Sequence, residues 1–435
     1  IPHHEDDQAT GISRFLVERD GEFYHYMLGR MGGSLAAIDP KKQGRCMCEI
    51  FGNYGWEEGP RLEKQLADHF MVRGVNRFVP HAFSPKEYPD KDCPPHFYAN
   101  GHNPQYRAFG YVMKYMNRIC RLISDGKAVI DTAIIYPGEM EWMGEAMLGQ
   151  KPARVLEEHQ IPFHFLPCDV FEEKENYCTK YEDGLRVNNN HYHTILIPEC
   201  KNITTDLENA ILKMRDSGCT IYFINTFPEK VIDPGDETDL HCYCNTEKIN
   251  IVKLEECYKV AHSNMKINPK NKQLHVYHYN GEKEVFYLVN ESEKSYRGEL
   301  CLPYATDYVR YDAWDDCYRA LDIIQNQNAG ETKIEIQMES GESILVLRDS
   351  GVPLCKKADL NQRKTIKCSE KWKMSLCKSI DYPTFKEWSA IDTFTDIGKK
   401  NKKFSGYIAY KNEFEVKNIE QGYVEIEDAG EDVEV

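Results

Sequence analysis

The stretch with the clearest chemical content is Arg45-Cys46-Met47-Cys48-Glu49-Ile50-Phe51-Gly52-Asn53-Tyr54-Gly55-Trp56. It reads as a short buried strand that ends in a carboxylate and opens at once into a loop of glycines and aromatics. The catalytic face of a β/α barrel presents itself this way, because its sites are built where strands hand over to βα loops. Gly52 and Gly55 let the backbone turn sharply. Tyr54 and Trp56 offer flat apolar faces on which sugars stack, and Asn53 beside them joins the substrate-binding candidates. Glu49 has two readings. It is a core carboxylate paired with Arg45 or Arg77, or it is one of the two carboxylates that glycoside hydrolysis sets across the scissile bond. Glu57 and Glu58 are rivals in the loop, less rigidly held than a strand-end residue.

His81 closes a second strand-like run, Arg77-Phe78-Val79-Pro80-His81-Ala82-Phe83. At the end of a neighbouring parallel strand it can bond a substrate hydroxyl or orient Glu49; the competing reading is a satisfied core histidine. His3-His4-Glu5-Asp6-Asp7 precedes the first helix and would form a loop on the same face. Its spacing matches no specific metal site, so His4 and Glu5 are read as substrate contacts or solvated loop residues. C-x-C pairs occur at Cys46/Cys48 and Cys242/Cys244 but no C-x-x-C does, which argues against a zinc knuckle.

The elements that must position these residues come in order. Apolar spacing predicts helix over 8–37, broken near Asp20-Gly21, then strand 45–51. A helix runs from Pro60 to Arg73, with proline at its start and Gly74 at its end. Strand 75–83, a proline-rich loop over 84–103 and helix 106–124 follow. Two strands alternating with helices imply a parallel sheet. Two strands do not close one, so the expectation is the end of a (β/α)8 barrel. The alternation restarts after 126 with strand 128–136, helix 143–159, strands 163–167 and 194–198, helix 205–217 and strand 220–225. Those apolar strands fit a sheet covered on both faces. From 272 the period changes to two, as in an antiparallel sandwich, and further β segments at 372–376, 404–410 and 423–426 begin another.

The 435 residues exceed one ordinary core. A net charge of −16 argues against nucleic-acid or anionic-membrane partners and favours a neutral or cationic small ligand. Aromatics at 11 %, with 27 Tyr, agree with carbohydrate binding. No apolar run is long enough to span a bilayer. No signal peptide or initiator Met opens the chain, so a cut N-terminus is expected. Cysteines in apolar runs, Cys46, Cys48 and Cys219 among them, suggest a reducing cytoplasm. No phosphate-binding glycine motif occurs.

Three segments, Cys48–Trp56, Gly74–Phe83 and Asp92-Cys93-Pro94-Pro95, resemble the C-terminal portion of glycoside hydrolases of family 106, the α-L-rhamnosidase type. More distantly they are similar to family 42 β-galactosidases. Phe404–Tyr410 looks like the start of the galactose-binding-like sandwich common in that group. The resemblance implies a multidomain α/β plus β chain. The last strands of a catalytic (β/α)8 barrel would occupy 1–126 and a glutamine-amidotransferase-like α/β domain without a catalytic role 127–250. A β-sandwich would follow over 251–350 and an incomplete one over 351–435. Glu49 would then close the seventh barrel strand, as general base of an inverting enzyme or nucleophile of a retaining one, and His81 the eighth. The general acid is expected near the fourth strand, upstream and outside this sequence, so little hydrolysis is expected of this polypeptide alone. The group's calcium (Ca2+) site does not map onto residues here.

Two further readings compete with a glycosidase that removes a terminal sugar. One is a non-catalytic carbohydrate-binding protein. The other is an amidotransferase-like enzyme, which lacks support because no cysteine sits in a strand–turn–helix elbow with a histidine and glutamate following.

Overall fold

The computed structural model describes residues 25–52, 54–56, 58–92, 94–233, 236–239, 247–327, 330–349, 351–355, 371–391, 402–413, 426 and 433–435. His4, Glu5, Asn53, Glu57, the helix expected before 25 and the strand expected over 423–425 lie outside them.

The first unit runs α1 (His25–Ile38), β1 (Met47–Ile50), α2 (Pro60–Met71), β2 (Arg77–Pro80) and α3 (Tyr106–Leu122). β1 and β2 pair in parallel, with Met47 opposite Arg77 and Glu49 opposite Val79. α2 opens with Pro60 in its first turn, where the missing N–H costs nothing. Gly74, at φ +101°, takes the left-handed turn after it. In α3 the buried residues Ala108, Phe109, Val112, Tyr115, Met116 and Ile119 recur at helical spacing. With Leu66, Phe70 and Met71 of α2 they cover the sheet face that carries Cys46 and Ile50. On the other face Met47 is 65 % and Val79 51 % exposed. The described residues thus contain two barrel-like strands with their helices and no closed barrel.

Next comes a five-stranded parallel sheet. Its spatial order is Ile249–Val252, Thr220–Ile224, Thr194–Ile197, Thr132–Ile135 and Phe163–Leu166. Strands Thr194–Ile197, Thr132–Ile135 and Phe163–Leu166 are buried along their whole length, as sheets covered on both faces require. Helix Thr205–Ser217 falls where its spacing predicts, capped by Thr204 Oγ1 accepting from the Leu207 N–H at 3.2 Å and stopped by Gly218 at φ +113°. Two expectations fail. The helix expected over 143–159 forms only over Gln150–Glu158; a separate short helix, Gly138–Met143, ends at Gly144 (φ +154°), and residues 144–149 are non-helical, with Ala146 bridging to Cys200. The strand expected over 128–136 is two: Lys127–Ala128 pairs with Leu274–Asn280 of the sandwich, and only Thr132–Ile135 joins the parallel sheet.

The sandwich packs a six-stranded sheet on a four-stranded one, antiparallel throughout, around Phe286, Leu288, Leu300, Ile334, Ile336 and Val346. A three-stranded antiparallel sheet follows, with Trp372–Lys378 between Ser389–Ile391 and Gly406–Lys411. No helix among the described residues is long and apolar enough to cross a membrane.

Buried polar clusters join the units. α1 lies against strand Phe163–Leu166, where Ser34 Oγ accepts from the Phe165 N–H at 3.0 Å. Its Arg30 reaches Glu157 at 2.7 Å. Arg73, just past α2, bonds Glu291 of the sandwich at 2.6 and 3.3 Å and lies 3.6 Å from Glu157. His275 sits between, 3.1 Å from each carboxylate. A second cluster centres on Asp68 of α2. It accepts from Tyr115 of α3 at 2.7 Å and Tyr287 of the sandwich at 2.6 Å, and pairs with Lys64 at 2.6 Å. Removing one partner from such a buried pair costs about 3–5 kcal/mol, so these contacts set the first unit firmly on the other two.

Candidate active site

Glu49 stands at the C-terminal end of β1, on the exposed face with Met47, Arg77 and Val79. The strand is therefore half-exposed rather than buried, because α2 and α3 cover only its other face. Neither arginine offered as an ion-pair partner reaches the carboxylate. Arg45 Nε donates to the Lys42 carbonyl at 3.2 Å. Arg77 donates to the Asn76 carbonyl and to Ser124 Oγ, both at 2.6 Å. Among the described residues Glu49 has no ion pair and no side-chain hydrogen bond.

His81 extends the β1–β2 ladder by one step, its N–H donating to the Ile50 carbonyl at 2.8 Å. A Cβ on Gly52 would fall 3.1 Å from His81 Nδ1, so the imidazole lies against the backbone that leaves β1. That nitrogen is buried without a hydrogen-bond partner among the described residues. Among the described residues Glu49 and His81 share no direct hydrogen bond; they are brought to one end of one sheet.

The two following loops are stitched together. Gly55 N donates to Pro94 O at 3.0 Å, Ala82 N to Pro95 O at 3.3 Å, and Phe97 N to Ala82 O at 3.2 Å. Stacked Phe97 and Phe109, 4.2 Å apart, support them from below. Above, Trp56 is 45 % exposed and meets Tyr88 and His96 edge-on at 6.4 and 6.0 Å. Tyr88 stacks on His102 at 4.3 Å. Trp56 thus has the exposed ring that sugar stacking requires. Tyr54 does not: it is buried, and it serves the core.

Glu58 departs from its reading as a loosely held loop residue. It is 2 % exposed, and neither carboxylate oxygen has a hydrogen-bond partner among the described residues. Burial, then the neighbouring Glu63, pushes its pKa up to about 9. Its carboxyl is therefore protonated at neutral pH, the state a general acid must hold. Sequence alone carries no sign of this, since the environment comes from the turn of the chain into α2.

Calcium prefers six to eight oxygen ligands. The one three-residue group with metal-ligand spacing among the described residues is Asp183, His191 and His193, which has two nitrogen donors and does not fit that ion. A cleft of about 560 Å³ between the start of α2 and the sandwich is lined by Arg61, Lys64, Gln65, Trp314 and Gly341. It includes none of Glu49, His81 or Trp56.

No family model and no curated protein matches the sequence. Solved structures do match. A rhamnosidase from Novosphingobium sp. PP1Y superposes with a TM-score of 0.62 at 16 % identity, over 91 % of this chain and 40 % of that one. An exo-carrageenase from Bacteroides ovatus gives 0.43 at 12 %, over 67 % of this chain and 39 % of that one. A β-galactosidase from Bacillus circulans sp. alkalophilus gives 0.44 at 9 %, over 67 % and 52 %. The latter two scores are too low to carry an argument. The chain spans about two-fifths of the rhamnosidase's length, and over that span it shares that protein's fold.

Proposed function

We propose that this chain forms part of a glycoside hydrolase that removes a terminal sugar, of the α-L-rhamnosidase type, with Glu49 as general base. Residues 1–126 are then the closing part of the catalytic barrel, 127–250 the amidotransferase-like domain, 251–350 a sandwich and 351–435 the start of another. One observation carries the reading: Glu49 is an exposed strand-end carboxylate that has no ion pair among the described residues, one strand away from the strand that leads into His81. A carboxylate open to solvent at a strand end is suited to take a proton from water attacking an anomeric carbon. His81 sits where it can bond a sugar hydroxyl, and Trp56 offers a stacking face. The likeness to a rhamnosidase supports the choice of sugar class.

The test is turnover of aryl α-L-rhamnoside and aryl β-galactoside by the polypeptide that carries this chain, beside its Glu49→Gln variant. The expected result is hydrolysis of the rhamnoside, lowered about 10²–10⁴-fold in kcat by the substitution while calorimetric L-rhamnose binding persists. Sugar binding without turnover in either protein would identify a carbohydrate-binding protein instead. An unchanged kcat in the variant would remove Glu49 from the chemistry.

A further inference from the structure

The β-hairpin beside the parallel sheet carries a group of side chains that the glycosidase reading does not use. Strand Asn190–Tyr192 pairs antiparallel with Leu185–Val187, placing His191 opposite Arg186. Strand alternation turns Tyr192 inward, where it is fully buried and bonded to His164 at 2.7 Å. His191 and His193 therefore both turn outward, their rings 4.3 Å apart. Asp183 closes the group from the preceding turn. One donor atom from each of the three lies within 4.8 Å of the other two.

We propose that Asp183, His191 and His193 form a binding site for a divalent transition-metal ion of the zinc class, with Asp131 as its outer partner. Two imidazoles and one carboxylate are a donor set such ions accept, and an open fourth position is left to water. A tetrahedral ion with bonds of about 2.0–2.1 Å spaces its ligands about 3.4 Å apart, so the three need only small side-chain rotations. His193 is already oriented. Its Nδ1 bonds Asp131 Oδ1 at 2.5 Å, which fixes the proton there and leaves the Nε2 lone pair for the ion. The Asp131 carbonyl accepts from the N–H groups of His193 and Thr194 at 3.1 and 3.3 Å, so carboxylate and imidazole are held by one piece of backbone. His191 is set by contact of its Nε2 with the Asp183 carbonyl. Gly184, at φ +106°, lies under both rings; a Cβ there would fall 2.9 Å from His191 Nε2 and 3.2 Å from His193 Cδ2. The chain spends a glycine to bring the rings over the turn.

The test titrates Zn2+ into the metal-stripped chain by calorimetry, with Co2+ absorption as the reporter of ligand type. The expected result is one saturable site with micromolar or tighter affinity. His191→Ala and His193→Ala should each weaken it at least tenfold, and Asp131→Asn about 10–100-fold. Circular dichroism of each variant should match the parent. The Co2+ spectrum should lack a thiolate charge-transfer band. Absence of saturable binding, His variants that bind as the parent does, or a strong thiolate band assigning the ion to a cysteine such as the exposed Cys178 would overturn the proposal.

Discussion

Replacing Arg73 by Met, of similar length but uncharged, probes whether buried charge holds the units together. The guanidinium is inaccessible to solvent. It bonds Glu291 at 2.6 and 3.3 Å and the His69 carbonyl at 2.7 Å. Arg30 and Arg73 balance Glu157 and Glu291. Burial alone would raise both carboxyl pKa values, but Arg30 and Arg73 outweigh it at Glu157, and Arg73 with His275 does so at Glu291; both are held below the usual carboxylate range. Removing Arg73 leaves a dry carboxylate short of a cation, at a cost of about 3–5 kcal/mol. With a urea m-value of about 2–3 kcal/mol/M, the midpoint should fall by more than about 1 M. Adding Glu291→Gln to Arg73→Met should recover part of the loss, because the orphan charge is gone. The pH dependence has a definite sign. Depressed folded-state pKa values contribute stability that is present above the unfolded value of about 4.3 and lost as pH falls below it. Without Arg73 those pKa values rise, so acid unfolding should set in at higher pH. Urea melts between pH 4 and 7 measure both effects. A single-variant loss under about 1 kcal/mol, or strict additivity in the double variant, would refute the argument.

Three other outcomes follow from the same structure. Glu58 binds its proton up to pH about 9 in the fold, against about 4.3 unfolded, so its contribution is full below pH 4.3 and lost as pH rises toward 9. Glu58→Gln removes that loss, and its stability advantage over the parent should widen between pH 5 and 9, by up to about 1.4 kcal/mol per unit; parallel denaturation curves would contradict it. Gly33→Ala should destabilise by about 1–3 kcal/mol, since its Cβ would fall 2.5 Å from the Arg73 carbonyl where α1 crosses the end of α2; thermal melts read this directly. Trp56→Ala should raise the dissociation constant for L-rhamnose about tenfold through loss of the stacking face, measured by calorimetry, with no change in the melting temperature beyond a few degrees because the ring is half-exposed.

Local pattern made much of this molecule legible. Helix Thr205–Ser217 was readable to the residue, because a threonine cap and a terminal glycine bracket one apolar stripe. The two strands that end at Ile50, next to Glu49, and at Pro80, next to His81, were readable for a similar reason: short apolar runs stop near glycine and proline. The non-helical stretch 144–149 was not, since periodicity across 143–159 looks continuous, whereas Ala146 and Met147 bond the backbone at Cys200 and Glu199 instead. Nor was the division of 128–136, because two residues gain their partner from a strand about 150 residues away. Tertiary structure alone decided the chemistry of individual carboxylates. Glu49 and Glu58 lie nine positions apart and look alike in sequence. The fold leaves the first exposed, with no ion pair among the described residues, and puts the second in a dry place where it keeps its proton. Charge state depends on solvent and neighbours, and for Glu58 burial beside Glu63 of α2 decides it, which only the packed chain supplies.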